Sequence, residues 1–80
     1  MNAAEITARE LLLAHARAEL DSADCDLTEA ARAFAVCTSG ASTNERSRFA
    51  SYASGCLTRA AARLARAAAF EQAAKIGGEP

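Results

Sequence analysis

The feature that most constrains this chain is a seven-residue repeat of large apolar side chains across its first half. Its members are Ile6, Leu13, Leu20, Leu27 and Phe34. Small residues recur between them, namely Ala16, Ala23, Ala30 and Cys37. A repeat with large and small residues at its two core positions predicts a long helix packed very close to a partner. The second half repeats the pattern with Ala53, Ala60, Ala67, Ala74, Leu57 and Leu64.

Alanine dominates the apolar content of the chain. Hydrophobic residues make up 51% of the 80 residues, and 23 of them are Ala. Ala is the best helix former but buries little surface. A single domain of this size and composition is therefore expected to be helical and marginally stable alone. We expect a partner, either a second copy or another protein, to complete its core.

Charge is distributed unevenly along the chain. The formal net charge is −1, which argues against a purely electrostatic nucleic-acid binder. Residues 1–40 nevertheless carry a net charge of −4, and residues 41–80 carry +3. This asymmetry predicts pairing between two antiparallel helices, or a two-faced surface for a partner.

Capping signals and glycines place two helices of matched length. Asn2 with Glu5 predicts a start near residue 3, and Gly40 suits the left-handed position after a helix end. Ser42 with Glu45 forms a second capping box. The sequence therefore predicts one domain with helix one over 3–38, a turn at 39–42, helix two over 43–76 and a tail at 77–80.

The predicted fold is an all-α antiparallel helical hairpin with a Leu/Ala heptad seam, which two copies could extend into a dimeric four-helix bundle. The stretch 21–26 offers an alternative. It contains Asp, Ser and Cys, which are poor helix formers, and an aspartate there could cap a new helix. A break at this point would give a three-helix bundle.

Five carboxylates cluster within eleven residues of the first half, without an intervening Lys or Arg. They are Glu19, Asp21, Asp24, Asp26 and Glu29. The spacing does not match an EF-hand loop, so we predict no metal. The cluster is interpreted as a solvated face or as a contact with a basic partner surface, which it could engage in place of nucleic-acid phosphates.

An arginine stripe marks the second helix. Arg59, Arg63 and Arg66 are spaced to share one helix face, and Phe70 continues the line. Such a stripe can bind phosphates or an acidic protein surface. The alternative is that these arginines pair with acidic residues of helix one, such as Glu19.

No motif in the chain identifies a reaction, a cofactor or a metal site. His15 is predicted on an outer face, without a cysteine at a catalytic spacing. Cys25 and Cys56 are predicted at a similar height, and a disulfide between them would require a break near residue 24. With three cysteines, no signal-like start and no long apolar run, we expect a cytoplasmic protein that does not enter a membrane.

Two resemblances bear on function. The alternation of Leu and Ala from Ile6 to Phe34, and from Phe49 to Phe70, is similar to that of the Rop family of plasmid copy-number proteins. This resemblance implies a dimeric four-helix bundle that binds RNA through Arg59, Arg63, Arg66 and Phe70. In format alone, the short, helix-rich, mildly acidic chain also resembles small phage-encoded inhibitors, including the anti-CRISPR proteins.

The leading hypothesis is a non-enzymatic inhibitor or regulator of a host nucleic-acid-binding complex, most concretely an anti-CRISPR protein acting on a CRISPR effector complex. Its contact would be made by the five carboxylates or by the arginine stripe with Phe70, and the chain would act as a homodimer. The alternatives are a Rop-like dimeric RNA- or DNA-binding regulator and a structural helical adaptor.

Overall fold

The computed structural model describes residues 3–40 and 42–78, with side chains over 7–40 and 42–77. Two helices account for nearly all of these residues: α1 covers Ala3–Thr38 and α2 covers Thr43–Gly78. They pack as an antiparallel hairpin with Cα extents of 60 × 13 × 12 Å. The all-α hairpin is thus confirmed. Because α1 continues through residues 21–26, the three-helix alternative is wrong.

The turn follows the predicted capping chemistry. Gly40 has a φ of +86°, a conformation that glycine adopts without a steric penalty. Ser42 Oγ accepts a hydrogen bond from Glu45 N at 3.3 Å and donates one to Glu45 Oε1 at 3.2 Å. The predicted pair of Asn2 and Glu5 lies outside the described side chains. The helix α2 continues through Gly77 to Gly78, two residues beyond the predicted end.

Only small side chains are buried between the helices. We call these nine residues the alanine seam: Ala16, Ala23, Ala30, Ala33, Ala53, Cys56, Ala60, Ala67 and Ala74. Small residues permit two backbones to approach closely, as the heptad predicted. The placement of the large residues in the same core is wrong, however. Leu13, Leu20, Leu27 and Phe34 flank the seam and are 41–50% exposed. The side chain of Ile6 lies outside the described residues.

The register of the hairpin is visible in its cross-helix contacts. Arg66 lies opposite Glu19, Arg59 opposite Asp26, and Phe70 opposite His15. In each of these pairs the two residue numbers add up to 85, and in the other contacts they range from 81 for Tyr52 with Glu29 to 89 for Arg63 with Asp26. Cys25 and Cys56, which the sequence predicted at a similar height, also have numbers that add up to 81.

The alanine seam divides the hairpin into two long faces. Three of the ion-paired residues, Glu19, Asp26 and Arg63, each follow a seam alanine by three positions, and the other two, Arg59 and Arg66, each precede one by a single position. The leucines lie three before or four after a seam alanine, as Leu20 does. Since the +3 positions of both helices meet on one side, the leucines of both helices share the opposite side.

These two surfaces are named by their principal side chains. The leucine face consists of Leu13, Leu20, Leu27, Phe34, Leu57 and Leu64. The ion-pair face consists of Glu19, Asp26, Arg59, Arg63 and Arg66. One hairpin thus carries an apolar surface and a charged surface on opposite sides of a seam of small residues.

Candidate functional site

Asp26 is the centre of the ion-pair face. Its Oδ2 lies 3.0 Å from Arg63 Nε, and its Oδ1 lies 3.4 Å from Arg59 Nε. The Asp26 side chain is only 15% exposed, so one carboxylate joins two arginines in a partly desolvated place. The Arg59 guanidinium also donates from Nη2 to Cys56 Sγ at 3.3 Å. This cluster ties the middle of α1 to the middle of α2.

Glu19 repeats this arrangement two turns closer to the open end of the hairpin. Its Oε1 lies 3.3 Å from Arg66 Nε, and its Oε2 lies 3.9 Å from Arg63 Nη1. The second distance is too long for a hydrogen bond, and Glu19 Oε2 is buried without one. Arg63 therefore bridges both carboxylates, and the predicted pairing of the arginine stripe with α1 is present.

Glu29 extends the charged surface toward the turn. Its Oε1 lies 3.0 Å from Arg32 Nη1, and its Oε2 accepts a hydrogen bond from Tyr52 Oη at 3.2 Å. This hydrogen bond to Glu29 is the largest cause of a raised pKa for Tyr52, and the nearby Cys56 and the Glu29 charge also raise it. Tyr52 was not among the sequence candidates, because its partner lies 23 residues away.

Phe70 lies on the same side of the hairpin as the ion pairs. Its ring is stacked on that of His15, with centroids 5.4 Å apart and an interplanar angle of 27°. His15 is exposed, as predicted, whereas Phe70 is half-buried. Phe70 thus covers part of α1, and only part of its ring is open to a partner.

The structure brings seven of the nine predicted contact residues onto one side of the hairpin: Glu19, Asp26, Glu29, Arg59, Arg63, Arg66 and Phe70. Asp21 and Asp24 lie elsewhere. Both are exposed, and within the described residues neither carboxylate forms an ion pair. The acidic cluster is therefore divided into carboxylates that hold the hairpin and carboxylates that face solvent.

The leucine face is the candidate surface that sequence reasoning missed. Near the open end it borders a groove of about 440 Å³ lined by residues of both helices, including Leu13, Leu20, Glu71 and Lys75. A second shallow recess, of about 410 Å³, lies near the turn between Glu29, Arg48, Phe49 and Tyr52. The heptad repeat of leucines was a signal for this face. Leucines at a buried core position would show the same seven-residue repeat, so the sequence did not distinguish the two.

All three cysteines are free thiols: Cys25 is exposed, Cys37 is half-buried and Cys56 is buried. The disulfide considered between Cys25 and Cys56 is not formed, in keeping with the unbroken α1. Among the described residues, no group of His, Cys, Asp and Glu is arranged to hold a metal ion. No helix in the described part of the chain is long and apolar enough to span a membrane.

Comparison of the chain with family models, with curated proteins and with solved structures gives no match. Function has to be inferred from the surfaces of the hairpin itself.

Proposed function

We propose that this chain is a non-enzymatic protein that binds a host nucleic-acid-binding complex and inhibits or regulates it. An anti-CRISPR protein, acting on a CRISPR effector complex, is the most concrete version of this proposal. The short, helix-rich and mildly acidic format supports it. We further propose that the protein acts in the cytoplasm, where its three free thiols would persist, and that it acts as a homodimer.

The observation that carries the proposal is that the arginine stripe is fully paired within the hairpin, whereas two carboxylates of the acidic cluster are not paired among the described residues. Arg59, Arg63 and Arg66 are all paired with carboxylates of α1. Asp21 and Asp24, by contrast, are exposed and form no ion pair within the described residues. The hairpin therefore offers unpaired negative charge at Asp21 and Asp24, while the charge of the arginine stripe is largely neutralised.

Proteins that handle nucleic acid present basic surfaces to the phosphate backbone. Exposed carboxylates on a rigid helix can occupy such a surface, and electrostatic complementarity speeds association and sets specificity. The ion pairs of Glu19 and Asp26 support this role indirectly, because they fix the helix that carries Asp21 and Asp24.

The same pairing disfavours direct binding of RNA or DNA by the chain. A phosphate backbone would have to compete with Asp26 and Glu19 for the arginines. The Rop-like alternative predicts affinity for nucleic acid that falls steeply with salt. The present proposal predicts that a protein is captured and that its capture does not depend on nucleic acid.

The test is a pull-down of the tagged full chain from host lysate, with and without nuclease treatment, read by mass spectrometry. Asp21→Asn with Asp24→Asn should abolish capture while leaving the helical circular dichroism signal unchanged. The matched control is Ala62→Lys with Ala65→Lys, which shifts the net charge equally at two exposed positions of α2. The control should retain capture.

Three outcomes would contradict the proposal. Capture that disappears with nuclease would favour the nucleic-acid-binding alternative and the arginine stripe with Phe70. Capture that survives the double Asp→Asn change would remove these carboxylates from the contact. A stoichiometric partner whose activity is unchanged on binding would instead indicate the structural adaptor.

A further inference from the structure

We infer that the leucine face is the surface through which two copies of this chain associate, with both turns at the same end of a four-helix bundle. This inference rests on the proposed homodimer and specifies the interface and its orientation. It also leaves the ion-pair face and Asp21 outside the interface, with Asp24 at its solvent-exposed rim.

The first argument is the placement of the large side chains. The alanine seam contains eight alanines and Cys56, so no large apolar side chain is fully buried between the described helices. Six large apolar residues lie together on the opposite side from the ion pairs and remain 40–50% exposed. Their heptad spacing gives two apolar ridges separated by the seam, which is the pattern that a pair of packed helices fills.

The dimensions of this face fit a second copy. The hairpin measures 60 Å by 13 Å between Cα atoms, so one side offers roughly 800 Å². That is about the area each partner buries in a stable interface of standard size. A matching occupant needs two straight helices about 54 Å long with apolar ridges at the same spacing. The leucine face of another copy meets each of these requirements.

Charge selects the orientation of the two copies. The helix α1 carries seven acidic and three basic residues, whereas α2 carries two acidic and six basic residues. If the two-fold axis runs along the hairpin, α1 of one copy lies against α2 of the other. Each acidic helix then has basic helices on both sides. With the axis across the hairpin, α1 would instead lie against a second acidic α1.

The rims of the leucine face are complementary in the same orientation. On α1 the rim carries the longer side chains Glu10, Arg17 and Asp24, and on α2 it carries Ser54, Ala61, Ala68 and Lys75. Side chains that meet across the hairpin have numbers that add up to between 81 and 89, and we take 85, the middle of that range, for residues opposed between the copies. Arg17 therefore lies opposite Ala68, Asp24 opposite Ala61, and Glu10 opposite Lys75 of the second copy.

The first test of the interface is the molecular mass of the protein in solution. Leu20→Lys with Leu27→Lys should reduce the dimer mass to the 8.3 kDa of one chain, with a dissociation constant raised roughly 100-fold or more. The control Ala62→Lys with Ala65→Lys should remain dimeric. A leucine variant that stays dimeric would overturn the assignment of the interface.

A milder pair of variants tests the same interface, and it remains informative if the leucine variant unfolds. Glu10→Lys alone and Lys75→Glu alone should each weaken self-association a few-fold through like charges at the rim. An equimolar mixture of the two variants should restore it, because each altered residue then faces its opposite charge. Unchanged association in every sample would overturn the proposed contact.

The orientation of the two copies is tested by the distance between spin labels attached through Asn44→Cys, one on each copy. In this variant the three native cysteines are replaced by alanine. Turns at the same end predict a separation of roughly 15–30 Å, since neighbouring helix axes lie 8–10 Å apart. Turns at opposite ends predict about 50 Å. The long distance would overturn the orientation alone, whereas a wild-type chain that stays monomeric would also overturn the proposed homodimer.

Discussion

The two faces of this hairpin flank the same seam but differ in how completely one copy satisfies them. On the ion-pair face, Asp26 and Glu19 find their arginines within the chain, and Phe70 stacks on His15. On the leucine face, six large apolar side chains keep 40–50% of their surface exposed. The comparison teaches that one copy satisfies most of its charged face but leaves its apolar face largely exposed to water.

The largest effect is expected at the seam that separates the two faces. Ala60 is 1% exposed and has no room for a larger side chain without separating the helices. We expect Ala60→Leu to lower the free energy of unfolding by about 3 kcal/mol and the melting temperature by roughly 10–20 °C. Thermal denaturation followed by circular dichroism measures this change.

The control for that change is Ala62→Leu, which adds the same side chain at an exposed position of α2. It should shift the melting temperature by only a few degrees in either direction, about 0.5 kcal/mol. If both variants unfolded at the wild-type temperature, the seam would not be the contact on which the two faces depend.

A second prediction weakens the ion-pair face alone. Asp26→Ala removes the carboxylate shared by Arg59 and Arg63. We expect a loss of about 1–2 kcal/mol, reduced from the value for a buried pair because both arginines are partly solvent-exposed. Urea denaturation at low salt gives the free energy of unfolding, and the loss should shrink at high salt.

Asp24→Ala is the matched variant, because Asp24 is exposed and forms no ion pair within the described residues. Its free energy of unfolding should stay within about 0.5 kcal/mol of the wild type. Equal losses for the two aspartates would contradict the division of the acidic cluster into structural and free carboxylates.

A third prediction concerns the backbone of the hairpin, through two glycines whose substitution should change stability without altering either face. Gly55 lies inside α2, and a Cβ there would meet its nearest side-chain atom, Arg59 Nη1, at an ordinary 3.7 Å. Gly55→Ala should therefore stabilise the chain by up to about 1 kcal/mol. Gly40→Ala should destabilise it by about 1–2 kcal/mol, because Gly40 has a φ of +86°. Chemical denaturation of both variants checks these opposite signs.

The smallest effect concerns the charged surface near the turn. Tyr52 is the only tyrosine and the chain has no tryptophan, so its ionisation can be followed by ultraviolet absorbance. The hydrogen bond to Glu29 raises the pKa of Tyr52 above its usual value of 10.0. We expect an alkaline midpoint above 10.0, and a lower midpoint in Glu29→Gln.

The sign of the linked stability change follows from the direction of that pKa shift. The folded chain holds the Tyr52 proton more tightly than the unfolded chain. Its contribution to stability is therefore fully present below pH 10.0 and is lost as the pH rises through the folded pKa. A midpoint unaffected by Glu29→Gln would contradict the hydrogen bond.

The sequence predicted the hairpin well because its strongest signals are local. Gly40, Ser42 and Glu45 act within a few residues of the turn, and the heptad keeps its phase through residues 21–26. The sequence also allowed the arginine stripe to pair with acidic residues of α1, because antiparallel helices bring the acidic first half of the chain beside the basic second half.

The positions of the leucines and of Tyr52 could not be obtained in the same way. A heptad of alternating Leu and Ala is the same pattern whether Leu20 lies in the seam or beside it. The outcome depends on how closely two Ala-lined backbones approach, which is a tertiary property. The contact of Tyr52 with Glu29 joins residues 23 positions apart on two helices, so no local sequence signal indicates it.

The central claim is that the leucine face requires a second copy, and sedimentation equilibrium of the purified full chain tests it most directly. Measured from micromolar to several hundred micromolar concentration, the chain should reach twice its mass of 8.3 kDa and form no larger species. A mass of 8.3 kDa over the whole range would contradict the account, because the apolar face would then be stable in contact with water.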